Sequence, residues 1–406
     1  MDLYESHKEA VEAVALATDI PVKNCLENLG QGVTISSETI DLGSNNFINL
    51  YVVSFLKDKV KPSIRSFDYL MSPSDFLKSK ANLIHRIASS GGFFFLADVF
   101  SERPRELALN LSSSEGKIRS LPVVDREAVI VDRGRLTVRF LNALGALTIN
   151  DREFSWSGSR TDYDSDITIF GNGNSVIRHI GNTATGTIRV LDEESRYSPT
   201  IKTDDQLDIG FIGMGGSTFR PVTYSPYGGL DIFSHDFIAR LKPEQIPKGN
   251  WTVDIKTIGG IATNRFFEGS FSAGPMLNIQ DFDGNPINKD PSLGDNPPFG
   301  DRRMARIALF GTDDGYTRIA LFDGRPNSKL FSGVTPREAT EILFSLWTVE
   351  WGCFLDPGQT AKICTINDGE LRSYGNRHYL EWPSDQNGYF KWVPDQGRKI
   401  ANIIAL

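Results

Sequence analysis

A chain of 406 residues with 40% hydrophobic and 23% charged side chains has material for one large core or two smaller ones, and is too apolar to stay disordered. Its 51 acidic and 43 basic residues give a formal charge of −8, and no Lys/Arg run marks a nucleic-acid or anionic-membrane surface. A small anionic ligand held by a local arginine cluster stays open. Cys25, Cys353 and Cys364 lack CxxC spacing, so they fit a reducing compartment or at most one disulfide; no metal site and no cofactor are expected.

Residues 1–20 place Ala10, Ala13, Val14 and Ala17 on one side of a helix, suited to packing or to a homodimer contact. No basic stretch leads into an apolar one there, and no run nears 18 apolar residues. The expectation is a cytoplasmic protein without a membrane span, or a secreted one if a leader has been removed. FINLYVVSF, from Phe47 to Phe55, reads as a strand. Ser72-Pro73-Ser74-Asp75 opens a helix with its N-cap, first-turn proline and acidic residue, and Leu77, Ala81, Ile84 and Ala88 continue it at helical spacing up to Gly91-Gly92.

From about residue 105 to 280 short β-type runs alternate with turns, and residues 151–166 and Gly213–Gly229 read as loops. ARIALFG and TRIALFD form a hairpin across Asp313-Asp314-Gly315. Thr335-Pro336-Arg337-Glu338 is a capping box, and Ala339, Ile342, Leu343, Leu346 and Trp347 give an amphipathic helix. An apolar strand interrupted by Asp356-Pro357-Gly358-Gln359-Thr360 follows, and KIANIIAL closes the chain as a buried strand. The expected architecture is α+β: a large mixed or mostly antiparallel β-sheet with a few packed helices. An N-terminal helical segment over 1–40 would precede one domain over 41–406.

The order of these stations resembles the phosphodiester glycosidase family. The family's NGGFF is matched by Ser89-Ser90-Gly91-Gly92-Phe93-Phe94, its NRxR-type loop by Ser157-Gly158-Ser159-Arg160, and its GGGP-Leu segment by Ser272-Ala273-Gly274-Pro275-Met276-Leu277. Arg306 to Phe310, Asp314-Gly315 and Phe322-Asp323-Gly324-Arg325 follow the family's hairpin and DGR. Phe354-Leu355-Asp356-Pro357-Gly358-Gln359-Thr360-Ala361 stands where the family has NLDGGGSST, and Arg398-Lys399-Ile400-Ala401-Asn402 where its terminal strand begins. Two departures are plain: Ser90 replaces the asparagine, and Pro357-Gly358-Gln359 replaces three glycines. Proline removes an N–H that a phosphate cradle would use.

The resemblance implies a hydrolase acting on a glycosidic or sugar-phosphodiester bond of a small molecule, itself anionic or glycosylated. Arg306, Asp356, Thr360, Ser90 and Arg160 would line one cleft, with Gly91, Gly92 and Gly358 letting backbone approach the ligand. Two rivals remain: a diverged enzyme transforming another small metabolite, as in natural-product biosynthesis, and a ligand-binding relative without catalysis. The chemistry needs cationic donors for the leaving phosphate and a carboxylate at the anomeric carbon. Arg306 lies inside an apolar strand, so it is either paired structurally or aimed into a cleft. Asp356 serves as that carboxylate or merely caps a bend. Ser90 substitutes a hydroxyl for the amide or ends a helix, Thr360 donates to phosphate or begins a strand, and Arg160 is a ligand or an exposed loop residue. His235, beside Asp236, is a candidate acid or base. His179, beside Arg178, is a second such candidate. Asp281-Phe282-Asp283-Gly284-Asn285 has an acidic spacing that invites calcium but lacks the closing glutamate.

Overall fold

The computed structural model describes residues 21–79, 82, 84–94, 105, 107–175, 177–183, 186–200, 205–277, 303–324, 330–375, 378–381, 391–394 and 398–406. The helix expected over 1–20, the acidic run 281–285 and Arg325 lie outside them, as does the side chain of His179.

Strand Phe47–Leu56 is β-branched and aromatic along both faces and almost wholly buried, so it takes a central place with neighbours on each edge. It lies in a six-stranded antiparallel sheet in the order Cys25–Gly30, Val33–Asp41, Phe47–Leu56, Tyr316–Asp323, Arg306–Thr312, Val349–Phe354. Residues 25–41 thus supply two strands of the same sheet as residue 47 onward. A second antiparallel sheet runs Glu370–Tyr374, Ile363–Asn367, Ile87–Ser90, Ile400–Ala405, Ser63–Met71. A third runs Lys117–Ser120, Ser112–Ser114, Ser270–Ser272, Arg126–Asp132, Arg135–Leu141.

Between the third sheet's strands in sequence, seven strands close a barrel. Their order is Leu144–Ile149, Arg152–Gly158, Ile167–Phe170, Phe237–Leu241, Leu207–Gly215, Thr218–Ser225, Val253–Ile255, and the last pairs with the first. Its interior is filled by rings: Phe211 stacks on Phe237 at 4.9 Å, and Phe219 and Trp251 meet them edge-on. A small barrel packed this way is a core and leaves no room inside for a ligand. A separate core, including Val129, Phe271, Ile307, Leu355 and Ile404, joins the three sheets.

The α+β expectation is therefore corrected: the protein is mostly β, built from a closed barrel and several antiparallel sheets. Among the described residues the α-helices are two, α1 (Pro73–Lys78) and α2 (Pro336–Leu346). Both begin where the capping residues indicate. Ser72 accepts from Asp75 N, and Thr335 and Glu338 complete the capping box. α1 stops early because Ser79 donates its hydroxyl to Phe76 O and leaves the helix in an extended conformation. Ile84, placed on the buried face by the helical spacing, is 80% exposed, and Ala88 belongs to a strand. No helix among the described residues is long and apolar enough to cross a membrane.

Candidate functional site

The strand Ile87–Ser90 ends against two other chain segments. Ser90 N donates to Lys362 O at 2.9 Å, Lys362 N donates to Ser90 Oγ at 2.9 Å, and Ser90 Oγ donates to the carbonyl of Thr360. One residue on, Gly91 O accepts from Asp356 N at 3.0 Å. Gly92 N donates to Asn402 Oδ1 at 2.6 Å. Both glycines are demanded by close approach: a Cβ on Gly91 would overlap Asn402 Oδ1, and one on Gly92 would overlap the Ser272 carbonyl. The sequence Ser90-Gly91-Gly92 is thus a clasp that ties residues 356–362, 402 and 272 together.

Arg306 enters from the neighbouring sheet. Leu355 N donates to Ile307 O at 2.9 Å and Gly358 N to Ala305 O at 2.8 Å, so the bonds on either side of Arg306 go to the segment that carries Asp356. The Arg306 side chain is buried, with Nε donating to Val334 O at 3.3 Å. Burial pulls its guanidinium down to about 10, since a low-dielectric setting disfavours the charged form. Asp356 is half-buried. The bend after it is closed by Thr360, whose Oγ1 donates to Asp356 O at 2.9 Å and Pro357 O at 2.8 Å, with Gly358 in the left-handed region at φ 74°. The backbones of Ser90, Arg306 and Asp356 therefore meet at one sheet junction. The Ser90 and Thr360 hydroxyls are engaged there with main-chain carbonyls.

Arg160 and His235 stand elsewhere. Arg160 is exposed in the loop after Arg152–Gly158, with Nη1 donating to Gly173 O at 3.2 Å. Asn110 connects this loop to the clasp, taking Asn172 Oδ1 on its N–H at 2.9 Å and giving Nδ2 to Ser272 Oγ at 3.1 Å. His235 is buried in the barrel wall against Gly210. Its Nδ1 meets Asp231 O at 2.8 Å and its Nε2 meets Thr223 Oγ1 at 3.1 Å. The adjacent Asp236 accepts from Gly213 N at 2.6 Å and from Arg105, so it is not the carboxylate partner of the imidazole.

Arg126 and Glu127 join Lys362 and Asn402 around the same junction. Arg126 is buried, with Nε donating to Ala273 O at 2.8 Å and its guanidinium 4.3 Å from the Phe93 ring centre. Glu127, half-buried, packs its carboxylate against Gly274, whose N–H donates to Phe354 O at 2.9 Å two residues before Asp356. Lys362 is fully buried. Asn402 is fully buried too, and its Nδ2 has no hydrogen-bond partner. The signal that could have found Arg126 and Glu127 is a charged pair at the mouth of the apolar run AVIV.

No known family matches the chain, and no curated protein does. Solved structures resemble the chain at low sequence identity. A hypothetical protein from Synechocystis aligns at a TM-score of 0.56 and 17% identity over 95% of this chain and 63% of that one. The chain thus spans less than two thirds of that relative's length. A candidate exported protein from Burkholderia pseudomallei aligns at 0.51 and 14% identity over 89% of this chain and 74% of that one. The catalytic domain of zebrafish N-acetylglucosamine-1-phosphodiester alpha-N-acetylglucosaminidase, auto-inhibited by its pro-peptide, aligns at 0.40 and 12% identity over 95% and 88%.

Chemically, the junction brings two carboxylates, Asp356 and Glu127, and two buried guanidiniums, Arg306 and Arg126, to segments joined by direct backbone hydrogen bonds. Among the described residues no group of three or more histidine, cysteine or acidic side chains is placed to hold a metal.

Proposed function

We propose that the chain is a hydrolase-like protein acting on a glycosidic or sugar-phosphodiester bond of a small molecule, at the junction around Gly91 and Asp356. The observation that carries this reading is the hydrogen bond from Asp356 N to Gly91 O, flanked by the Leu355–Ile307 bond. It joins three stations, far apart in sequence, that the phosphodiester glycosidase resemblance singles out. Cleavage at an anomeric carbon places a water oxygen on carbon as the C–O bond to phosphate breaks, and the phosphate leaves with the bonding pair. One carboxylate takes the water's proton, and guanidiniums meet the phosphate's charge. Asp356 and Glu127 are assigned the first task, Arg306 and Arg126 the second.

The test is a panel of sugar-1-phosphodiesters and aryl glycosides, followed by detection of the free sugar. Release that the double variant Asp356→Asn, Glu127→Gln abolishes supports the reading; a panel wholly inert with the parent protein overturns it. One observation favours a second reading, a ligand-binding relative without turnover. Ser90 and Thr360 both bond main-chain carbonyls, and Pro357 offers no N–H, so the phosphate cradle has fewer donors than the family pattern supplies. Binding of the same compounds with no product would decide for it.

A further inference from the structure

A cavity of about 390 Å³ opens at the barrel mouth, within the size range of small-ligand sites. Phe170, Asn174, Glu194, Tyr197, Ser198 and Thr200 are among its lining residues. We propose that it is a binding site for a neutral sugar, separate from the junction around Asp356.

The walls are fixed without a ligand. Ser198 N donates to Leu230 O at 2.9 Å, Gly229 N donates to Ser198 O at 3.0 Å, and Arg240 Nη2 donates to Pro199 O at 2.5 Å. Arg240 also lies 4.9 Å over the Phe170 ring, which anchors it. Arg196 and Asp231 form an ion pair at 2.7 Å that holds the turn Glu193–Arg196 against the same wall. Such a frame lowers the ordering cost that a weakly held ligand would otherwise incur.

What the cavity offers is an aromatic face and hydroxyl-type hydrogen bonding. Tyr197 is 43% exposed, a flat apolar surface with a polar tip. Ser198 Oγ accepts from Leu230 N at 3.1 Å, which leaves its own hydrogen for an acceptor. Asn174 is engaged at both ends, with Gly171 N at 2.9 Å and Ser159 Oγ at 2.7 Å, but its oxygen keeps a second lone pair. Glu194 is exposed and can accept from two neighbouring hydroxyls at once. Glu194 carries the charge of the lining while Arg196 is paired with Asp231, so an anion is disfavoured. A cation would suit that charge but would leave the Ser198 hydroxyl hydrogen without an acceptor. A sugar ring stacks its C–H face on tyrosine and supplies both donors and acceptors.

The probe is titration calorimetry and saturation-transfer NMR with methyl glucoside, methyl mannoside and N-acetylglucosamine, with glucose-1-phosphate and choline as charged controls. Saturable binding of a neutral glycoside in the millimolar range is expected, at least tenfold weaker in Tyr197→Ala and in Glu194→Gln with the melting temperature unchanged. Turnover of a sugar-1-phosphodiester should be unchanged in Tyr197→Ala, so this site stands or falls apart from the proposed hydrolysis. No saturation by any neutral glycoside, preference for either charged control, or undiminished affinity in the Tyr197→Ala, Glu194→Gln double variant overturns it.

Discussion

At the sheet junction around Asp356 and at the barrel mouth around Tyr197, polar side chains are used in opposite ways. Ser90, Thr360 and Asn402 accept from or donate to neighbouring backbone, are almost wholly buried, and fix the second sheet to the bend that carries Asp356. At the mouth, the hydrogen bonds of the frame are made by main chain, Asn174, Ser198, Arg196 and Arg240, while Tyr197 and Glu194 face solvent. The junction is therefore where substitution should be felt in folding. The mouth should tolerate substitution and register it in ligand affinity.

The sharpest way to break that contrast is Gly92→Ala, whose methyl would overlap the Ser272 carbonyl and the buried Phe271 ring. A loss of about 3 kcal/mol in urea denaturation is expected, as for overpacking that nothing can relieve. An unchanged midpoint would mean the clasp yields. Ser90→Ala should cost about 2 kcal/mol, because the Lys362 N–H is left buried without that acceptor. Tyr197→Ala, in the same assay, should leave the midpoint where it was.

Thr335→Ala, at the start of α2, provides a calibration. Removing one half of the capping box should cost about 1 kcal/mol, and no change would show the helix start to be held by packing alone. The smallest effect concerns His85, whose imidazole is held below its ordinary 6.5, first by burial and then by the Arg65 charge. The unfolded chain binds a proton that the native chain resists. Stability is therefore full above 6.5 and declines as pH falls from there to the lowered native value. His85→Gln should flatten that acid-side slope in thermal melts; an identical slope would remove His85 as its source.

Local signals carried the legible parts of the structure. The Asp314-Gly315 turn between matching apolar runs specified the hairpin Arg306–Thr312 with Tyr316–Asp323, and Thr335 with Glu338 specified the start of α2. The barrel was not legible, because its closing pairs, such as Leu147 with Ile255 and Thr168 with Arg240, join residues distant in sequence. Nothing in local alternation encodes such a register. The long helix expected after Ser72 matched a 3.6-residue spacing that was accidental; Ser79 ended it and Ile84 faces solvent. In the site, the glycines and Asp356 stood out by motif, whereas Glu127 gained its place only when Gly274 was brought against Phe354.

The most direct test of the junction as a reaction site is a paired measurement on Asp356→Asn: thermal midpoint, and turnover of whichever sugar-1-phosphodiester the parent protein cleaves. Thr360 closes the bend through main-chain oxygens that asparagine retains, so folding should be unaffected. Turnover should fall by on the order of 10²-fold, as for loss of an acid–base group. Full turnover in the variant, or a collapse of the midpoint, would contradict the role assigned to Asp356.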